Sequence, residues 1–192
     1  MDITDLTTQV YEDLNGQITS IQQLSDAILI TFVCDDWEAP DSKRQFKLTC
    51  EGLREHDLTV GGVGWINTPD SHPLLWAHTN EHASLYFSSK ADDPYKIIGR
   101  LYETHEQLYG GWRQMSHHVH ANASLLEGGY GLIASGPSNV IQAYAESING
   151  LVRANIVQTY SPKASLKAYI FDDHFLICES VRVAEDTNHE IP

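Results

Sequence analysis

Ten histidines stand among 192 residues, and eight of them fall between His56 and His120. Neutral imidazole is the commonest metal ligand of proteins, so their spacing is the first thing to read. His78-Thr79-Asn80-Glu81-His82 matches H-x-x-E-H. In that motif two imidazoles four residues apart share one helical face and hold zinc, while the glutamate activates a bound water. Its surroundings suit it poorly. His72-Pro73-Leu74-Leu75-Trp76 precedes it and the strand-like ASLYFS follows, so no long helix is available, and a polar loop before a strand is the competing reading. Ser116-His117-His118-Val119-His120 places His118 and His120 on one face if the segment is a strand. They would form half of a metal site that His82 or Glu127 completes. His78, His82, His118 and His120 therefore make up a metal reading, with zinc as cofactor and a metal-dependent hydrolase as function. His105 shares an apolar helical face with Tyr102 and Tyr109 and reads as a core histidine with satisfied nitrogens.

The second chemically loaded stretch is acidic. CDDWEAPDSK holds Asp35, Asp36, Glu38 and Asp41 around Trp37. It lacks the spacing and central glycine of an EF-hand loop, so calcium is not indicated. Carboxylates around an indole suit docking of a basic protein surface, with Trp37 as apolar anchor. The plainer reading is a solvated acidic turn. The glycine stretch from Glu127 to Ser138 ends at an expected helix start but matches no nucleotide-binding pattern and has no lysine nearby. Nucleophilic catalysis has no local signature: there is no G-x-S-x-G elbow, and no cysteine stands in a catalytic motif.

Elements must position these groups. Ile3, Leu6, Val10 and Leu14 recur at helical spacing up to Gly16, giving an expected N-terminal helix. Ala27–Cys34 is apolar on both faces, as a strand buried on two sides would be. From Ser42 to Arg54 the pattern alternates, with Phe46, Leu48 and Cys50 on one face, and this strand is expected to pair antiparallel with the one before it. Residues 61–71 read as a loop and 83–88 as a strand. Asp92-Asp93-Pro94 starts a helix whose apolar face holds Ile97, Ile98, Leu101, Tyr102, His105, Leu108 and Tyr109. Ser124–Ser135 reads as a strand. A second amphipathic helix, with Val140, Ile141, Tyr144, Ala145 and Ile148, follows Gly136-Pro137-Ser138. A hairpin, Leu166–Phe171 and Phe175–Val183, turns at Asp172-Asp173-His174. The expected class is α+β: a mainly antiparallel sheet with an N-terminal helix and two amphipathic helices packed on it. Residues 1–184 are expected to form a single domain, with a frayed polar tail over 185–192.

Composition bounds the function. The formal net charge is −14, from 26 acidic and 12 basic side chains, and the first sixty residues hold 12 acidic against 4 basic. That sign argues against nucleic acid and against a polybasic membrane-surface protein. No apolar run is long enough to span a bilayer, and no secretory signal opens the chain. The three cysteines, Cys34, Cys50 and Cys178, lack any CxxC pair and read as buried thiols of a cytoplasmic protein. The balance favours a non-enzymatic reading without cofactor: an acidic cytosolic binding module of inhibitor, immunity or adaptor type, whose partner is a basic protein surface met by Asp35, Asp36, Trp37, Glu38 and Asp41.

Overall fold

The computed structural model describes Ile3 and residues 15–25, 27–36, 39, 42–161 and 165–186. The chain gathers into two compact units. The first comprises Met1–Ser71 and Ser165–Pro192, and the second is His72–Ala164, inserted in sequence within the first. Every pairing among the described strands is antiparallel, so the α+β class with mainly antiparallel sheets holds.

Along the chain the first unit begins with strands β1 (Gly16–Gln23), β2 (Ala27–Asp35), β3 (Lys43–Glu51), β4 (Glu55–His56), β5 (Gly61–Val63) and β6 (Ile66–Asn67). The second unit contributes α1 (Trp76–Thr79), β7 (His82–Phe87), α2 (Pro94–Tyr109), α3 (Ala123–Leu126), β8 (Gly131–Pro137), α4 (Ser138–Ser147) and β9 (Ala154–Tyr160). The chain then returns to the first unit with β10 (Lys167–Phe171), β11 (His174–Cys178) and β12 (Ser180–Glu185).

In the first unit one sheet runs β12-β3-β2-β1-β5 and another β4-β11-β10-β6. The β-branched and aromatic residues of β2 and β3 meet across the ladder on one face: Phe32 opposite Phe46, Ile30 opposite Leu48, Ile28 opposite Cys50. All six are fully buried and share a core with Tyr169, Phe171 and Leu176 of the second sheet. The other face of β2, with Leu29, Thr31 and Val33, is only half-buried, so β2 is central in its sheet but covered on one side. Cys50 lies opposite Ile28 and Cys34 opposite Arg44, six residues of register apart. At about 3.3 Å per residue that separates the two cysteines by roughly 20 Å, far beyond disulfide reach. Cys50 instead neighbours Cys178, thiol against thiol, and all three cysteines are free and buried. The expected single arm Phe175–Val183 breaks at Glu179, where the chain passes from one sheet to the other. Glu185 is not frayed: it pairs opposite Phe46 and accepts both Arg44 guanidinium hydrogen bonds, at 2.7 and 3.0 Å. Asp186 follows, its N–H donating to Gln45 O and its carboxylate 2.7 Å from Lys47. The stretch 61–71 is not merely loop, since β5 and β6 lie in it. Asp172, in the β10–β11 turn with φ of 54°, clamps it by accepting the Gly64 and Trp65 amides at 2.7 and 2.9 Å. The expected N-terminal helix lies outside the described residues except for Ile3, which is buried in this core. Residues 187–192 of the expected tail also lie outside them.

The second unit has its own core around the sheet β8-β7-β9. Helix α2 starts where expected: Asp93 accepts the Lys96 amide at 3.0 Å, Pro94 occupies the first turn, and Gly110 ends it in the left-handed region. Its buried stripe is Ile97, Leu101, His105 and Tyr109, whereas Tyr102 is 53% exposed and falls off the expected face. Helix α4 buries Val140, Ile141 and Tyr144. The expected strand over Ser124–Ser135 opens instead with the end of a short helix. Asn122 caps α3 by accepting the Leu125 amide at 2.9 Å, Gly129 turns the chain at φ of 83°, and the strand begins only at Gly131 and runs through Pro137. No helix among the described residues is long and apolar enough to cross a membrane.

Candidate functional site

An open cleft of about 490 Å³ lies in the second unit, lined by His82, Ser84, Arg113, His117, His118, Ser135 and Thr159 among others. Strand register brings the serines together, because Ser84 of β7 sits opposite Ser135 of β8. No carboxylate lines the cleft among the described residues.

His118 is the most constrained of these groups. It is 4% exposed, with its ring stacked on Tyr109 at 5.3 Å and 19°. Nδ1 lies 3.3 Å from the Ser135 carbonyl, which can only accept, so Nδ1 carries the proton. Nε2 is then a bare acceptor, and it has no partner among the described residues. A buried acceptor left without a donor costs about 1–3 kcal/mol, which marks the position as one kept for something. Burial, with Arg113, His105 and His117 nearby, pushes the His118 pKa down to about 4, so the ring is neutral at pH 7. Gly136 makes this placement possible: a Cβ there would lie 2.5 Å from His118 Nδ1.

Beneath the cleft, His105 is fully buried and fully bonded. Its Nε2–H donates to the Arg113 carbonyl at 2.5 Å, so Nδ1 is the acceptor and takes the Tyr144 hydroxyl at 2.7 Å. Burial raises the pKa of both neighbouring tyrosines, Tyr109 to about 12. His105 thus anchors α2 to α4 and to the 113–118 segment.

Of the other candidate histidines, His82 joins His118 in lining the cleft, and His78 and His120 are not among its lining residues. His78 lies on the four-residue helix α1, and His82 opens β7, where its Nε2–H donates to the Ala77 carbonyl at 2.8 Å. The motif thus straddles a helix end and a strand start, and its imidazoles do not share one helical face. His118 and His120 do not share a face either. The backbone at His118 has φ −120° and ψ −39°, outside the extended region, so strand alternation fails. His118 turns inward while exposed His120 places Nε2 2.7 Å from Ser135 Oγ. Among the described residues no three histidines, cysteines or carboxylates are grouped to hold a metal ion.

In the first unit Asp35 is ion-paired to Lys43 and accepts from Asn15 at 2.7 Å, which holds its carboxyl below the usual range. Asp36 accepts the Ser42 hydroxyl at 3.4 Å, and its N–H donates to the Ser42 carbonyl across the turn. Trp37, Glu38 and Asp41 lie outside the described residues. Asp57, His174 and Thr59 fall in the order of a catalytic triad, with Thr59 Oγ1 3.3 Å from Nε2. The carboxylate is 3.8 Å from Nδ1, beyond hydrogen-bond reach, and Asp57 Oδ1 is taken by the Phe175 amide at 2.5 Å. That trio is a turn brace.

Comparison of the chain with protein-family models, with curated proteins and with solved structures finds no match.

Proposed function

We propose that the chain is a non-enzymatic binding module of inhibitor, immunity or adaptor type, and that its first unit takes up a basic protein surface. One observation carries this reading: the charge is segregated. The first unit holds 19 acidic and 6 basic side chains, a net −13, while the second holds 7 and 6, a net −1. General acidity for solubility would spread over both units in proportion to their length. Within the first unit Lys43, Arg44, Lys47, Arg54 and Arg182 are each already paired with a carboxylate. The acidic excess is therefore left to external cations, and a field of this sign steers basic partners. Asp35, Asp36, Glu38 and Asp41 concentrate it between β2 and β3, with Trp37 among them as the anchor.

The test is affinity capture at low ionic strength, about 50 mM, where surface charges reach furthest. Wild type is compared with the four-site variant Asp35→Asn, Asp36→Asn, Glu38→Gln, Asp41→Asn. The expected result is a basic polypeptide retained by wild type, released by salt and lost with the variant. Retention of the same partners by the variant, released at the same salt, overturns the proposal.

A further inference from the structure

A strand at the end of a sheet offers unpaired N–H and C=O groups to any other strand, and folds ordinarily blunt such edges. The strands that end the sheets of the first unit are either charged or short. Its larger sheet ends in β12, which carries Arg182 and Glu185, and in β5, three residues with two glycines. Its smaller sheet ends in β4 and β6, of two residues each. In the second unit the outer edge of β8 is met by the 118–120 segment: His120 N–H donates to the Ile133 carbonyl and Ser135 N–H to the His118 carbonyl. The opposite end of that sheet, β9, has none of this protection. Its seven residues ANIVQTY include no charge and no proline, and Val157 and Tyr160 are 49% and 62% exposed. Its register against β7 slips only at Thr159, which leaves 154–158 as a regular run.

The direction of the backbone groups says what this edge fits. Ser88 N–H donates to the Arg153 carbonyl and Arg153 N–H to Ser89 Oγ, so both Arg153 groups face the side of β7. Backbone groups of successive strand residues point to opposite sides. Ala154, Ile156 and Gln158 therefore turn theirs outward, where no backbone partner meets them among the described residues. These three positions are symmetric about Ile156. We propose that β9 pairs antiparallel with β9 of a second copy of this chain, about a two-fold axis at Ile156. Ile156 then faces its own image, and Ala154 faces Gln158 of the other copy. Antiparallel residues paired through their outward groups exchange two bonds each, so about six main-chain bonds close the edge. A two-fold contact requires that a surface match itself, and this one does: donors meet acceptors, and no charge meets its like. The second unit has a net charge of only −1, so two copies meet there without the repulsion that the −13 of the first unit would impose. A basic polypeptide finds no charge on this strand to select it.

Light scattering on the full chain gives its mass across a series of protein and salt concentrations. At high micromolar concentration wild type is expected to reach twice the mass of one chain. It should do so more completely at about 0.15 M salt than at about 0.01 M, because screening weakens the repulsion between two acidic chains. Salt acts in the reverse sense on capture of a basic partner, so the two associations are told apart. Asn155 and Val157, both exposed, face each other across the axis. Asn155→Lys with Val157→Lys sets like charges opposite and should weaken dimerisation by at least about tenfold, and so should Asn155→Glu with Val157→Glu. Mixing the two double variants sets opposite charges across the axis and should restore a dimer with one copy of each, which damaged folds could not do. If either double variant does not fold, Ala154→Pro takes its place. It removes an outward N–H at the first strand position, where proline is tolerated, and should likewise dissociate the dimer. The proposal is overturned if wild type keeps the mass of one chain throughout, which would leave the edge to a strand of another protein. It is equally overturned if a folded variant dimerises as wild type does, or if the mixture of charged variants stays monomeric.

Discussion

At the scale of single residues, two neighbouring buried histidines do different work, and His118 is the one that couples stability to pH. His118 titrates near 6.5 in an unfolded chain and near 4 in the fold. Above about pH 7 it is neutral in both states and contributes no pH dependence. As pH falls from 6.5 toward 4 the unfolded chain takes up the proton and the folded one does not, so stability is lost over that window, by up to about 3 kcal/mol. His118→Gln keeps an amide donor for the Ser135 carbonyl and removes the titration. Urea unfolding at pH 7.5 and 4.5 should therefore show a smaller acid loss for the variant than for wild type, by on the order of 2 kcal/mol. Equal losses would show that burial does not hold His118 neutral. His105 has both nitrogens bonded, and its role is to tie helices together. Tyr144→Phe removes the donor to Nδ1 and should cost about 1–3 kcal/mol, and His105→Ala more, about 2–4, because a cavity is added. A His105→Ala protein that melts like wild type would show that these bonds do not tie the helices together.

At the scale of elements, β8 shows what the sequence discloses and what it hides. Two of its glycines stand where a neighbouring ring comes close, Gly131 against Phe87 and Gly136 against His118. The particular partner of Gly136, the His118 ring, comes from a segment outside the named strands, which meets β8 through a bridge between Val119 and Ala134 and through backbone bonds from His120 to the Ile133 carbonyl and from Ser135 to the His118 carbonyl. Gly136 also stands at φ of 151°, where a side chain is strained. Gly136→Ala should therefore destabilise by about 2–4 kcal/mol and displace the imidazole, whereas Gly99→Ala, on open helix surface, should stabilise slightly. Melting temperatures of the two variants check the contrast; similar shifts would mean that the ring yields without cost. The patterns that proved legible are local ones. Period-two burial marks β3, and an aspartate–proline start with a glycine stop marks α2. What stayed hidden depends on register and insertion: Ser84 meets Ser135 through a ladder whose offset no local pattern fixes. The Asp172 clamp is equally invisible, because it joins residues more than a hundred positions apart. The histidine spacings do not carry over into the fold as helix or strand faces, because spacing means proximity only on a regular element and both stretches fall across element ends.

At the scale of the whole molecule, the segregation of charge makes a kinetic prediction that a contact list alone would not. Thirteen net negative charges on one unit produce a long-range field, while a single indole acts only at contact. Neutralising Asp35, Asp36, Glu38 and Asp41 should thus slow association with the basic partner by roughly tenfold at low salt and flatten its salt dependence. Trp37→Ala should leave the association rate nearly unchanged and speed dissociation, because a desolvated aromatic anchor is broken in leaving, not in arriving. Asp35 needs its own control. It is ion-paired to Lys43, so Asp35→Asn alone leaves that cation unpaired and lowers the acidic excess by one charge. If Asp35 serves only to brace the β2–β3 turn, the double change Asp35→Asn, Lys43→Gln, which restores the net charge, should associate like wild type. If Asp35 touches the partner, the double variant should remain slow. Surface-immobilised association measured across a salt series, with these four proteins side by side, separates field from contact. Should Trp37→Ala slow association as much as the four-site change does, the indole takes part in the encounter itself, and steering by the acidic unit is not what brings the partner in.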